Sequence, residues 1–200
     1  VSATQGAPLR IPATAAAMRL PLWQRGQARL RERWGFDFNS PDALDRVRAL
    51  VAEKPGDAER ILLHGSVLAM RGDNASAEGE VRRAVELQPD LARAHTTLAT
   101  LLVQRNAREE GLQEARRAAE LDGADATVQY NLGLAEWAAG HRREANAAFS
   151  KAWHSLYGEV HGEGRRPPWW RRIFRRGSVG TRPPGAPPTA PAAQDSTVSQ

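Results

Sequence analysis

Between Ala43 and Tyr157, apolar and small residues return in register every 34 positions. Val47, Val81, Ala115 and Phe149 form one such series; Ala43, Ala77, Gly111 and Ala145 form another; and Leu50, Ala84, Ala118 and Ala152 a third. Gly65, Ala99 and Gly133 recur with the same period, as do Gly72, Asn106 and Gly140. The spacing predicts first helices over 58–71, 92–105 and 126–139, each followed by a second helix. Gly72, Asn106 and Gly140 sit where each first helix must close, and Gly and Asn enter the left-handed conformation at least cost. Small residues at 65, 99 and 133, facing Ala77, Gly111 and Ala145, let paired helices approach closely. Gly111 inside a helix costs about 1 kcal/mol relative to Ala, so it reads as a contact residue. A single hairpin of this size cannot bury its own apolar faces, so the pattern implies a stack of repeats.

The period and its anchors resemble the tetratricopeptide repeat. Asn131-Leu132-Gly133, Gly140, Glu144-Ala145, Phe149 and Lys151-Ala152-Trp153 carry the resemblance most fully. The unit at 58–91 shares His64-Gly65, Leu68, Gly72, Ala77, Val81, Ala84 and Leu87-Gln88-Pro89. The unit at 92–125 shares Leu98-Ala99, Leu102, Asn106, Gly111, Ala115, Ala118 and Leu121-Asp122-Gly123. The resemblance covers roughly 41–157 and implies an all-α, right-handed superhelical solenoid of helix–turn–helix units. Full repeats are expected at 58–91, 92–125 and 126–157, with a degenerate N-terminal unit at 22–57. It further implies a concave groove lined by Glu59, Leu62, Ser66 and Ala69, then Arg93, Thr96, Thr100 and Val103, then Thr127, Tyr130, Leu134 and Trp137. Members that grip a peptide carboxylate place Lys, Asn and Arg at several such positions. Here those places hold Leu62, Ser66, Thr97, Thr127 and Asn131, so that clamp is missing. The groove expected is one of hydroxyls and small apolar residues, with Tyr130 and Trp137 as aromatic anchors for an apolar side chain of a peptide or helix. The alternative for these two aromatics is packing between neighbouring units.

The N-terminal unit is irregular. Ser40-Pro41 predicts a capped helix start, and Ala43, Val47, Leu50 and Pro55 repeat the second-helix pattern over 41–54. Its partner helix is expected near 22–35, where Leu30 and Trp34 fit, although Arg31 stands at a small-residue position and Phe38 where Gly is usual. Residues 1–21 read as a disordered basic segment.

Charge changes this picture by being segregated. Residues 1–34 carry six Arg and one Glu; 161–200 carry seven Arg and two acids; the stretch between carries 15 basic and 20 acidic side chains. The net +5 therefore belongs to the ends, and overall basicity is no argument for nucleic-acid binding by the repeats. Arginine supplies 26 of the 28 basic residues, as in a GC-rich bacterial genome. There is no cysteine, hence no disulfide and no thiolate metal site. No apolar run approaches the ~20 residues of a membrane span.

Beyond Tyr157 a glycine-containing link leads through 158–176 to Trp169, Trp170, Arg171, Arg172, Ile173, Phe174, Arg175 and Arg176. On a helix the aromatic and apolar members gather in one arc and the arginines in the other. Three readings compete. The segment caps Phe149, Trp153 and Leu156; or it rests on an anionic membrane surface; or it binds nucleic acid or an acidic protein. Residues 177–200, rich in Pro, Gly, Ala, Ser and Thr, read as a disordered tail.

Catalytic chemistry finds no footing. No phosphate loop, nucleophile elbow or His-Glu-x-x-His occurs, and the five histidines include no helical i, i+4 pair. His64, at a core leucine position, reads as structural, and Glu109-Glu110 as a solvated helix start. The sequence thus predicts a non-enzymatic interaction or scaffold module with no cofactor, metal or small-molecule substrate, and a protein partner in the groove. Two alternatives use the ends: a peripheral membrane adaptor held by the Trp/Arg segment, and a nucleic-acid-associated factor. A cytoplasmic location, peripheral at a membrane in the adaptor case, follows from the same reading.

Overall fold

A computed structural model describes residues 11–161, and these form eight α-helices with no strand among them. They are α1 (Ala13–Trp34), α2 (Ala43–Glu53), α3 (Ala58–Met70), α4 (Asn74–Leu87), α5 (Ala92–Gln104), α6 (Arg108–Leu121), α7 (Ala126–Ala139) and α8 (Arg142–His161). Three antiparallel hairpins, α3–α4, α5–α6 and α7–α8, stack in order. Each hairpin turns at the residue predicted to do so: Gly72 has φ 85°, Asn106 φ 69° and Gly140 φ 91°. Asp57 and Asp125 cap α3 and α7, each accepting from two backbone N–H groups, and Asp73 caps α4.

The close approach inferred from the small residues is real. A methyl group on Gly65 would lie 2.7 Å from Val81 Cγ2, and on Gly111 2.9 Å from Val103 Cγ2. On Gly133 it would sit 2.5 Å from two ring carbons of Phe149, so that phenyl ring occupies the space a side chain would need. Around these contacts lie separate buried clusters, one from Ile61, Leu68, Val81 and Ala84 to Leu98 and Leu102, one around Ala99, Leu112, Ala115 and Ala135, and one around Ala145, Phe149 and Ala152.

Repeat-equivalent positions solve one problem with different side chains. His95 Nε2 lies 2.9 Å from the Pro89 carbonyl oxygen, and 34 residues on Gln129 Nε2 donates to the Gly123 carbonyl at 2.9 Å. His95 Nδ1 also meets Glu114, at 2.6 Å. His64 is largely buried, with Glu80 3.5 Å away. Glu136 stands where the other units have Leu68 and Leu102. Its buried carboxylate is held by Arg116 at 3.0 Å and lies 2.7 Å from His141 Nδ1.

The N-terminal region departs from the sequence expectation in three ways. Residues 13–34 are one helix, so the disorder expected over 13–21 and the helix near 22–35 give way to α1, closed by Gly35 at φ 75°, while residues 1–10 lie outside the described residues. Second, α1 does not form a hairpin with α2: α2 packs on α3, whereas α1 packs on α7 and α8. Only Leu30 and Trp34, at its C-terminal end, join Phe36, Phe38, Ala43, Val47, Leu63 and Val67 around the start of the stack. The degenerate unit expected over 22–57 is therefore a lone helix, α2, plus a helix that travels elsewhere. Arg31 stands where the repeats have a small residue, so the close approach of a repeat hairpin is not available there. Third, Ser40 does not cap α2; its hydroxyl donates to the Asp37 carbonyl at 2.7 Å, and Asp42 precedes the helix.

Candidate functional site

Successive first helices, α3 on α5 and α5 on α7, pack against one another more closely than successive second helices do. In a curved stack the more crowded layer is the inner one, so α3, α5 and α7 line the concave side. The hydroxyls expected to greet a ligand there are already engaged. Ser66 donates to the Leu62 carbonyl, Thr96 to Ala92 and Thr100 to Thr96, at 2.8–2.9 Å. Thr100 also reaches Asn131 Oδ1 at 3.2 Å, and Asn131 Nδ2 donates to the Thr127 carbonyl. Leu62 and Thr96 are buried, and Ala69 and Val103 lean on the cores of their own hairpins. The polar side chains of the inner face are thus engaged within the helices, and its charged groups are Glu59, Arg93 and, just ahead of α7, Asp125.

Helix α1, about 33 Å long at 1.5 Å per residue, packs on α7 and α8 and reaches the α3 end of this face through Arg33. Ala15, Met18 and Leu22 are buried against Ala126, Tyr130, Phe149, Ala152 and Leu156, with Leu134 and Trp137 packed around them. Further along, Arg25 donates to the Leu156 carbonyl at 2.9 Å and Arg29 to Asp125 at 3.1 Å. Arg33 pairs with Glu59, which also accepts from Arg93 at 3.0 Å. Residues 15, 18, 22, 25, 29 and 33 advance by three or four, so they form one stripe of the helix. The first half of that stripe is apolar and the second half is arginine.

Electrostatics follow the contacts. Burial alone would raise the Asp125 carboxyl. The Arg29 guanidinium and the N–H groups of Thr127 and Val128 outweigh it and hold the group below the usual carboxylate value. Burial pushes the Tyr130 phenol up, with Arg19 of α1 opposing. Tyr130 is buried and packs tilted on Phe149, ring centroids 5.9 Å apart. Trp137 lies under the Arg142 guanidinium, 3.7 Å from its centroid, a cation–π contact between the α7–α8 turn and the inner face. Among the described residues no group of three or more His, Asp or Glu converges as a metal site would require.

Solved structures share this architecture. TTC0263, a thermophilic TPR protein of Thermus thermophilus, superimposes with a TM-score of 0.53 at 15% identity, over 74% of this chain and 94% of that one. The chain has the tetratricopeptide-repeat fold. MamA of Desulfovibrio magneticus RS-1, residues 41 to its end, gives 0.52 at 22% identity over 75% and 79% of the two chains, and a second MamA structure gives 0.51 at 21% over 64% and 69%. No family profile and no curated protein matches the sequence.

Of the twelve residues expected to line the groove of this tetratricopeptide array, Glu59 and Tyr130 meet α1, with Leu134 and Trp137 beside them; Arg93 reaches α1 only through Glu59. Of the remaining seven, six belong to helix self-bonding or the hairpin cores, and Thr127 donates its N–H to the α7 cap Asp125 at 2.6 Å. Sequence reasoning missed Met18, Leu22, Arg25, Arg29 and Arg33 on α1, and Asp125 opposite. The signal was present as the three-and-four spacing, hidden by an arginine- and alanine-rich composition and by Pro21. Trp169 to Arg176 and the 177–200 tail lie outside the described residues. No helix of the described residues is long and apolar enough to cross a membrane.

Proposed function

We propose that this protein is an interaction or scaffold module whose concave face receives a helix or extended segment of a partner protein. One observation carries the reading: the concave face is already engaged with a helix, α1, through Tyr130 on the apolar side and Glu59 on the charged side. A face that holds an amphipathic helix by an apolar seam and flanking charge has the physical character of a helix-receiving groove. Tetratricopeptide arrays present extended concave surfaces of this kind.

The test is affinity capture from the native host with the full chain, comparing the wild type with Trp137→Ala on the inner face and Gln113→Ala on an exposed outer helix. Partners lost with Trp137→Ala and kept with Gln113→Ala, at unchanged far-UV circular dichroism, are the expected result. Equal capture by all three chains would remove the inner face from the binding site.

A further inference from the structure

We infer that α1 competes in cis for the concave face, and that the array's partner is a helix bearing the same stripe, three apolar positions followed by three arginines, which binds by displacing α1. The inference rests on the reading of the concave face as a helix-receiving surface and adds the chemistry of the ligand and its control.

The receptor side is built for that stripe in order. Apolar Tyr130, Phe149 and Leu156 meet Met18 and Leu22, then the Leu156 carbonyl, Asp125 and Glu59 meet Arg25, Arg29 and Arg33 in turn. Every position of the stripe is answered, and the answers come from both ends of the stack. Charge complementarity fixes the polarity of the ligand helix, apolar half toward α8 and arginine half toward α3.

The occupant itself is made to leave. Pro21 inside α1 removes a backbone hydrogen bond to the preceding turn. Gly26 adds a flexible residue where a methyl group would meet nothing within 4 Å, so packing does not require it. Pro12 precedes the helix with no side-chain cap, and no acid lies in the first turn. Helical propensity is thus poor at the points where a partner's helix could be good. On the outward side Leu20 and Trp23 remain 60% and 51% exposed, so α1 is held from its inward side, by the stripe and, at its C-terminal end, by Leu30 and Trp34. What keeps it in place is the tether through 35–42: a short link holds a tethered ligand at an effective concentration of order millimolar. A free helix competes against that concentration, and a better helix with the same stripe wins.

The experiment measures binding of a fluorescein-labelled peptide of residues 13–34 carrying Pro21→Ala and Gly26→Ala to three full-length proteins. These are the wild type, the triple variant Arg25→Glu/Arg29→Glu/Arg33→Glu, and the variant Pro21→Ala/Gly26→Ala. The arginine variant, whose own α1 is released, should bind the peptide at least ten times more tightly than wild type. The variant with the strengthened α1 should bind at least threefold more weakly. A peptide whose three arginines are also replaced by glutamate should not bind. Equal affinity across the three proteins would overturn competition in cis while leaving the concave face a helix receptor. No binding to any of them, with amide exchange confirming that α1 is free in the arginine variant, would overturn the receptor reading as well. Undiminished binding of the glutamate peptide would overturn the stripe as the recognised chemistry.

Discussion

The hairpins α3–α8 and the helix α1 are both helical, yet they are held by different physics. In the hairpins, glycines admit neighbouring side chains to within a methyl radius, and aliphatic residues fill the remaining space from both helices. Removing any part leaves a hole or an overlap. Along α1 one stripe makes most of the contacts, half of its positions being arginines that stay largely in water, with Leu30 and Trp34 packed beside it at the C-terminal end. The first arrangement is close packing and tolerates little change; the second is docking, in which each exposed ion pair contributes about 0–1 kcal/mol. A domain can therefore contain a helix that is ordered without being part of its cooperative core.

Two equally inaccessible side chains put that distinction at risk most directly. Phe149→Ala is expected to destabilise the protein by about 3–5 kcal/mol in urea unfolding, since Phe149 fills the space beside Gly133. Met18→Ala should shift the main urea transition by about 1 kcal/mol or less, while amide protection of α1 disappears. A destabilisation by Met18→Ala as large as that by Phe149→Ala would merge the two regions into one unit. Next in magnitude, the two helical glycines should respond with opposite signs. Gly133→Ala should cost about 1–3 kcal/mol from overlap with the Phe149 ring, whereas Gly26→Ala should stabilise α1 by up to about 1 kcal/mol, both read by circular dichroism melts.

Within the hairpins, Glu136→Leu restores the residue type of positions 68 and 102. It should leave stability unchanged or raise it by about 1 kcal/mol, because a buried ion pair is often matched by an apolar side chain of similar size; a clear loss would show that Arg116 and His141 are needed as partners. The smallest effect concerns pH. The folded Asp125 carboxyl lies below its usual value, so its stabilising contribution is complete above that usual value, near 4, and fades as pH falls through the folded one. Protection of α1 should accordingly decline below about pH 4. Asp125→Asn keeps a capping side chain for α7 but not the charge for Arg29, and should flatten this dependence.

Residues explain what was legible in the sequence. Gly72, Asn106 and Gly140 announced the hairpin turns because a left-handed residue is a local demand that each repeat makes again. Gly65, Gly111 and Gly133 announced the tight crossings for the same reason. The site was far less visible. Ser66, Thr96 and Thr100 look like ligand-facing hydroxyls in a sequence, but each has a carbonyl four residues back within reach, and that bond is made first. Met18 and Leu22 find their partners more than a hundred residues away, a distance over which periodicity carries no information. Asp125 was hidden by serving twice, as cap of α7 and as acceptor for Arg29.

The contact between Arg25 and the Leu156 carbonyl joins residues 131 apart in sequence. During synthesis α1 leaves the ribosome before the surface that receives it, by on the order of ten seconds at ordinary translation rates. Until then Met18, Leu22 and a row of arginines wait without a home on a nascent chain. A helix made early thus settles late, once α7 and α8 have formed.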